Sequence, residues 1–255
     1  MKARAHPLLD ALIFSSLWTA AAMGALVAAC FRAMGVAIAP EAVGLAFSGT
    51  LVVYNLDRLR DLDRDRCSSP DRSAFVSAHE GRLIGLATVA AAASLFFAAR
   101  AGVWAVAVLL PALGLGLFHR RLKHFERAKI FYVAMSWACV GFGLPAVLAR
   151  GAHHLGWVAA IVTASLFANV CAFNARDERT RVAQIGRPRA LWAARLCAGL
   201  GVVLGVSAPS PANTLVAIPL VTLLALFAYR PDERFSPLFV DGSLLVGSLI
   251  AAALA

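Results

Sequence analysis

Charged residues are scarce in this sequence, and acidic ones scarcer still: 14 Asp and Glu stand against 24 Lys and Arg in 255 residues, while 60% of the chain is hydrophobic. So little charge excludes an ordinary soluble domain. With a mean hydropathy of +0.75, the composition is that of a polytopic membrane protein. Cysteine offers no organising framework either: the five (Cys30, Cys67, Cys139, Cys171, Cys197) are odd in number, scattered and without a CxxC pair. That argues against a structural zinc site and against a disulfide scaffold. Nor do the six histidines form a ligand set.

What the chain has instead is long apolar runs. A helix needs about 20 residues at 1.5 Å per residue to cross the hydrocarbon core. Nine segments meet or approach that length, at 8–31, 39–57, 82–99, 102–118, 129–149, 154–173, 190–207, 213–229 and 238–255. Too little sequence remains for a soluble domain, so the expectation is one all-α transmembrane domain over residues 1–255, with a faint pseudo-repeat of 1–125 and 126–230 followed by a final span. The basic start and the VAAC ending at Cys30 have the outline of a lipoprotein signal. The apolar run is long for a signal peptide and Asp10 interrupts it, which favours a retained span.

Basic residues alternate from one side of this layout to the other. The N-terminus and the loops around 58–82, 120–129, 176–195 and 230–234 hold 21 of the 24, leaving Arg32, Arg100 and Arg150 opposite. The positive-inside rule makes the rich side cytoplasmic, with the N-terminus inside. The excess of positive charge is then a topology signal and an attraction for anionic lipid, and no nucleic-acid partner is expected.

Three polar segments cluster on that face. The first is YNLDRLRDLDRDR (54–66), where an apolar run ends in aspartates interleaved with arginines. Asp57, Asp61 and Asp65 are four residues apart and so share one face of a helix. Stacked carboxylates repel. A hard divalent cation removes that repulsion, and Mg²⁺ takes one or two carboxylates together with phosphate oxygens and water. A plainer reading also fits, a solvated face whose acids are neutralised by Arg58, Arg60, Arg64 and Arg66.

The second segment is FNARDERTR (173–181), in which Asn174, Asp177, Glu178 and Arg181 follow helical spacing after the sixth span. Facing the first, it would hold an anionic phosphate between metal and guanidinium; otherwise it is a charged helix end in solvent. The third, RRLKHFERAK (120–129), supplies Lys123 and Lys129 either as a diphosphate clamp or as topology determinants.

NLDRLRDLDRD after the second span, FNARDERTR after the sixth, the basic RRLKHFERAK and nine spans together resemble the UbiA superfamily of intramembrane prenyltransferases. Asn55, Asp57, Asp61 and Asp65 match its first motif, with the Asn offset. In its second motif, Asn174 and Arg181 stand where the family has aspartates, leaving Asp177 matched with Glu178 beside it. The resemblance implies a helical bundle around a central cavity open near the cytoplasmic face of a bacterial inner membrane. It also implies Mg²⁺-dependent ionisation of a polyprenyl diphosphate and transfer of the prenyl group to an aromatic or other lipophilic acceptor.

On that reading Asp57, Asp61, Asp65 and Asp177 hold metal, with Asp57, Asp61 and Asp177 central to catalysis. Asn55, Lys123, Lys129, Asn174 and Arg181 bind the diphosphate. Phe96, Phe97, Phe118, Phe131, Trp137 and Phe167 are candidates for the tail's surroundings, though aromatics in spans usually pack or face lipid. The altered second motif keeps two alternatives open, an intramembrane terpene cyclase and a non-catalytic isoprenoid-binding protein. Asp10 and Asp241, isolated acids near span ends, are candidates for the cavity wall or for simple stabilisation by a helix dipole.

Overall fold

The computed structural model describes residues 7–66, 69–117, 126–176 and 186–255, and within them it is helical throughout, with no strand. A helix falls on each of the nine expected intervals. The chain runs through α1 (Pro7–Phe14), α2 (Leu17–Ala33), α3 (Pro40–Arg60), α4 (Leu62–Asp65), α5 (Pro70–Ala78), α6 (Glu80–Ala101) and α7 (Val103–Leu117). Next come α8 (Glu126–Ala138), a π-helical turn (Cys139–Gly143), α9 (Leu144–Leu148), α10 (Leu155–Arg176) and α11 (Arg187–Ser207). A 3₁₀ turn (Ala212–Val216) leads into α12 (Ala217–Phe227), and a second π-helical turn (Ser236–Asp241) into α13 (Gly242–Leu254). Among the described residues five helices are long and apolar enough to cross a membrane, six if the bent pair α1–α2 counts as one span.

Burial sorts these helices into layers. The best spanning stretch of α10 is 61% buried, against 17% for α6 and 28% for α11. α10 and α2 are therefore inner helices: Met23, Leu26, Val27, Cys30 and Phe31 of α2 are all within 2% of full burial. Peripheral α11 exposes Trp192, Leu196, Leu200 and Val203 at helical spacing, an apolar stripe suited to lipid rather than water. Between layers, close approach depends on glycine. A Cβ on Gly247 of α13 would stand 2.6 Å from the Ile218 Cα of α12, inside backbone that has no rotamer to yield.

The first span is not the straight helix that its hydropathy suggests. α1 and α2 meet at 57° across Ser15 and Ser16, and Ser16 takes a positive φ of 66°, a conformation rare for a residue with a side chain. The break leaves helix-end carbonyls in a buried position, where each requires a partner. α3 supplies them. The Arg58 guanidinium donates to the carbonyls of Ile13, at 3.1 Å, and of Phe14. The Asn55 amide donates to the carbonyl of Ser15 at 3.0 Å.

At the basic-rich face an ionic clamp joins the first span to the last. Arg234 donates to both carboxylate oxygens of Asp10, at 2.7 and 3.2 Å, and pairs with Asp71 of α5 at 3.1 Å. Bonding to Asp10 holds the Arg234 pKa above the ordinary arginine value. On the alkaline side its contribution to stability is therefore lost only as pH rises through that raised arginine value. Asp10 accordingly serves the clamp, not a cavity wall.

Candidate intramembrane active site

The aspartate-rich stretch divides between two helices. α3 ends at Arg60, Asp61 leaves helical geometry (φ −99°, ψ 10°) while its N–H still bonds to the Asp57 carbonyl at 2.9 Å, and α4 resumes at Leu62. One continuous face through Asp57, Asp61 and Asp65 is thereby interrupted, and the interruption relieves the stacking of like charges that a straight helix would impose. Asp57 is exposed whereas Asp61 is 9% exposed. Asp63 pairs with Arg66 at the surface, at 3.5 Å, a local neutralisation of the plainer kind.

Asn55 points away from Asp57. It is fully buried, its amide N–H groups go to Ser15 and to the Leu51 carbonyl at 2.9 Å, and its Oδ1 has no partner among the described residues. Two positions apart on a helix means about 200° of rotation, so this divergence follows from geometry. Asn174, in the last turn of α10, is 7% exposed and donates to the Val170 carbonyl at 2.8 Å. Lys123, Asp177, Glu178 and Arg181 lie outside the described residues, as do the side chains of Asp65 and Lys129, and Phe118.

Around Asp57 the fold gathers residues that motif spacing does not reveal. The Asp57 carboxylate lies within electrostatic reach of Tyr54, Arg58 and Tyr132. Tyr54 meets Trp137 edge to face, ring centroids 6.0 Å apart. On the inner side Asp241, 3% exposed, accepts from the Thr19 hydroxyl at 2.6 Å and from the Asn169 amide at 3.3 Å. It too lies within electrostatic reach of Tyr54 and Arg58. Asp57 and Asp241 thus both act on one Tyr54–Arg58 turn of α3, the first exposed and the second buried. Of these, Asp241 carries a sequence signal as a lone acid within a span, Trp137 as a candidate for the tail's surroundings and Arg58 as a neutralising charge, whereas Tyr54, Tyr132, Thr19 and Asn169 carry none.

Of the aromatic residues weighed for a prenyl tail, Trp137 is 8% exposed beside this cluster, while Phe96 and Phe131 are 59% and 60% exposed. Phe97 instead lines an apolar groove of about 480 Å³ between α3 and α6 that includes none of the aspartates.

Among the described residues no three His, Cys, Asp or Glu side chains gather as a metal site. Asp57 and Asp61, one turn apart, are a hard-oxygen pair of the kind Mg²⁺ accepts when phosphate and water complete its shell. In chemical terms they fit a metal carried in with a phosphorylated substrate.

This architecture is that of a multi-pass helical membrane protein. It is similar to a solved structure of digeranylgeranylglyceryl phosphate synthase in membranes, with a TM-score of 0.56 and 13% identity over 96% of this chain and 98% of that one. No protein-family model matches the chain, nor does any curated protein sequence.

Proposed function

We propose that this protein is a Mg²⁺-dependent intramembrane prenyltransferase of the UbiA type, moving a prenyl group from a polyprenyl diphosphate to an aromatic or other lipophilic acceptor. The observation that carries this reading is the open carboxylate of Asp57, one turn from Asp61, on a fold shared over nearly the whole chain with a synthase that works in membranes. On this reading the basic-rich loops face the cytoplasm, where a diphosphate is available.

Asp57 and Asp61 would hold Mg²⁺, with Asp65 and Asp177 adding carboxylates, and the ion would supply charge neutralisation to the departing diphosphate. Lys123, Lys129 and Arg181 would supply fixed positive charge to the leaving group's oxygens. Tyr54 and Trp137 offer aromatic surface beside Asp57, which suits the electron-poor allylic carbon that forms as the bond to diphosphate breaks. The apolar bundle excludes water from that carbon and favours transfer over hydrolysis.

Purified protein in nanodiscs, given prenyl diphosphates of graded length, should release pyrophosphate in the presence of Mg²⁺. Chelation should abolish the release, and so should Asp61→Ala. Isoprenoid binding without release at any length would replace this reading with the non-catalytic one. The mass of the product separates transfer from cyclisation.

A further inference from the structure

Of the five long spans described, α6 is the most open to its surroundings, yet part of that open side is concave. With α3 and the start of α2 it forms the apolar groove of about 480 Å³, a size that accommodates the body of a small ligand. Leu17, Phe47 and Leu51 wall it on one side, and Leu86, Val89 and Ala93 on the other. The one polar residue in its lining is already satisfied: the Ser48 hydroxyl donates to the Gly44 carbonyl at 2.7 Å and accepts from Ser94 at 2.9 Å. The walls therefore recognise apolar chain alone, and selectivity must come from the ends of the groove.

One end is charged. Arg82, Leu86, Val89 and Ala93 follow at i, i+4, i+7 and i+11, so they lie within about 60° of one another on α6. Arg82 is exposed and takes part in no ion pair among the described residues. Glu80, two residues before it, is turned about 200° away. The rise of the helix puts Arg82 about 16 Å from Ala93, close to half of the roughly 30 Å hydrocarbon core. An acyl chain of one leaflet has that reach. The same stripe meets a second arginine, Arg100, five turns further on. There the Phe97 ring is seated against Gly44, where a Cβ would stand 2.5 Å from it, and it closes the gap between α3 and α6 at that end.

We propose that this groove is a lipid site, holding one acyl chain of an anionic phospholipid whose phosphate sits at Arg82 and whose chain end points towards Phe97. Charge complementarity selects the head group, because Arg82 belongs to the basic-rich face, and basic residues at that level attract the anionic lipids of the cytoplasmic leaflet. The bound chain ties α6 to α3 and to Leu17, the first residue of α2 after the break in the first span. A lipid that binds only the folded protein stabilises it by mass action. None of the residues assigned to prenyl transfer lines the groove, so the site does not depend on that reading.

The test uses the full chain, purified in mild detergent and depleted of lipid, with dioleoyl phosphatidylglycerol and dioleoyl phosphatidylcholine as probes. Native mass spectrometry counts the lipids retained, and the thermal midpoint reads the stabilisation. The wild type should retain one phosphatidylglycerol with an apparent affinity about five-fold above that for phosphatidylcholine, the contribution of one arginine near an anionic head group. It should also melt higher with the anionic lipid. Arg82→Gln should bring phosphatidylglycerol down to the phosphatidylcholine level, whereas Arg100→Gln should leave the preference intact. Ala93→Phe, which fills a half-buried position in the groove wall, should lower retention of both lipids.

Equal retention of the two lipids by the wild type, or an undiminished preference in Arg82→Gln, overturns the proposal. So does a preference lost in Arg100→Gln alone, which would put the head group at the opposite end. A doubled mass that Ala93→Phe abolishes would likewise overturn it, with a second copy of the chain covering the groove. Because pyrophosphate release is not read, failure of the prenyltransferase reading leaves each of these outcomes interpretable.

Discussion

The two faces of the last turns of α3 carry similar residues and do opposite things. Asn55 and Arg58 turn inward and spend their donors on the carbonyls of Ile13, Phe14 and Ser15, which the broken first span exposes. Asp57, between them in sequence, turns outward and is exposed. Charge alone does not mark a functional residue here. What separates the faces is whether the chain itself consumes the polar group, and a group already consumed in this way is scaffold.

The largest effect should come from breaking the inward face. Arg58→Met keeps the length of the side chain but withdraws a cation from two helix-end carbonyls. Hydrogen bonds from a charged donor contribute about 1.5–3 kcal/mol each, so a loss of roughly 3–5 kcal/mol is expected. It should appear as a lower yield of monodisperse protein and a lower thermal midpoint in detergent. A variant as stable as the wild type would show that the break needs no capping by Arg58.

Next in size is the complementary change on the open face. Asp57→Asn removes a metal-binding charge from an exposed position, so transfer should fall by about 100-fold or more. Its thermal midpoint should stay within the range of surface substitutions, about 0.5 kcal/mol. Were Asp57→Asn to destabilise as much as Arg58→Met, the distinction between the two faces would collapse.

Much of this arrangement was legible in the sequence, for physical reasons that also set its limits. Hydropathy placed a helix on each of the nine intervals because apolar length sums along the chain, although among the described residues only five of the helices, or six with the bent first pair, are long and apolar enough to cross a membrane. It missed the break at Ser15–Ser16 and the π-helical turns at Cys139–Gly143 and Ser236–Asp241, because local backbone geometry leaves apolar length unchanged. The period of four puts Asp57 and Asp61 one turn apart, yet cannot foresee that Asp61 interrupts the helix. The motif resemblance groups Asn55 with the aspartates, whereas its amide faces the first span. Tyr54, Thr19 and Asn169 carried no signal, since their importance comes from Asp241 and Asp57, which are distant in sequence.

A smaller effect, on packing alone, sharpens the contrast from outside the site. Gly247→Ala places a methyl group 2.6 Å from the Ile218 Cα and 2.9 Å from the Ala217 carbonyl oxygen. Backbone cannot rotate aside, and overpacking of this kind typically costs about 1–3 kcal/mol. Chemical unfolding in mild detergent should detect it. Transfer per folded molecule should change far less than in Asp57→Asn, which separates loss of scaffold from loss of chemistry.

The smallest expected effect lies in the clamp between Asp10, Asp71 and Arg234, where polar groups are also consumed by the chain but with solvent nearby. The Arg234 and Asp10 side chains are 19% and 14% exposed, and Asp71 is 51% exposed. Arg234→Lys keeps the charge and gives up the fork that engages both Asp10 oxygens. A loss of about 1 kcal/mol is expected, at the upper end for partly exposed pairs, and it should shrink as salt rises because the Debye length falls from about 10 Å at 0.1 M to about 3 Å at 1 M. Arg58→Met should not respond to salt in this way, since its partners are buried backbone carbonyls whose interaction mobile ions do not reach. Thermal midpoints of the two variants, compared at low and high salt, therefore separate a solvent-facing clamp from the buried anchor of α3. If both respond equally to salt, the inward face of α3 is wetter than its burial indicates, and Arg58 would join Asp57 among the groups open to substrate.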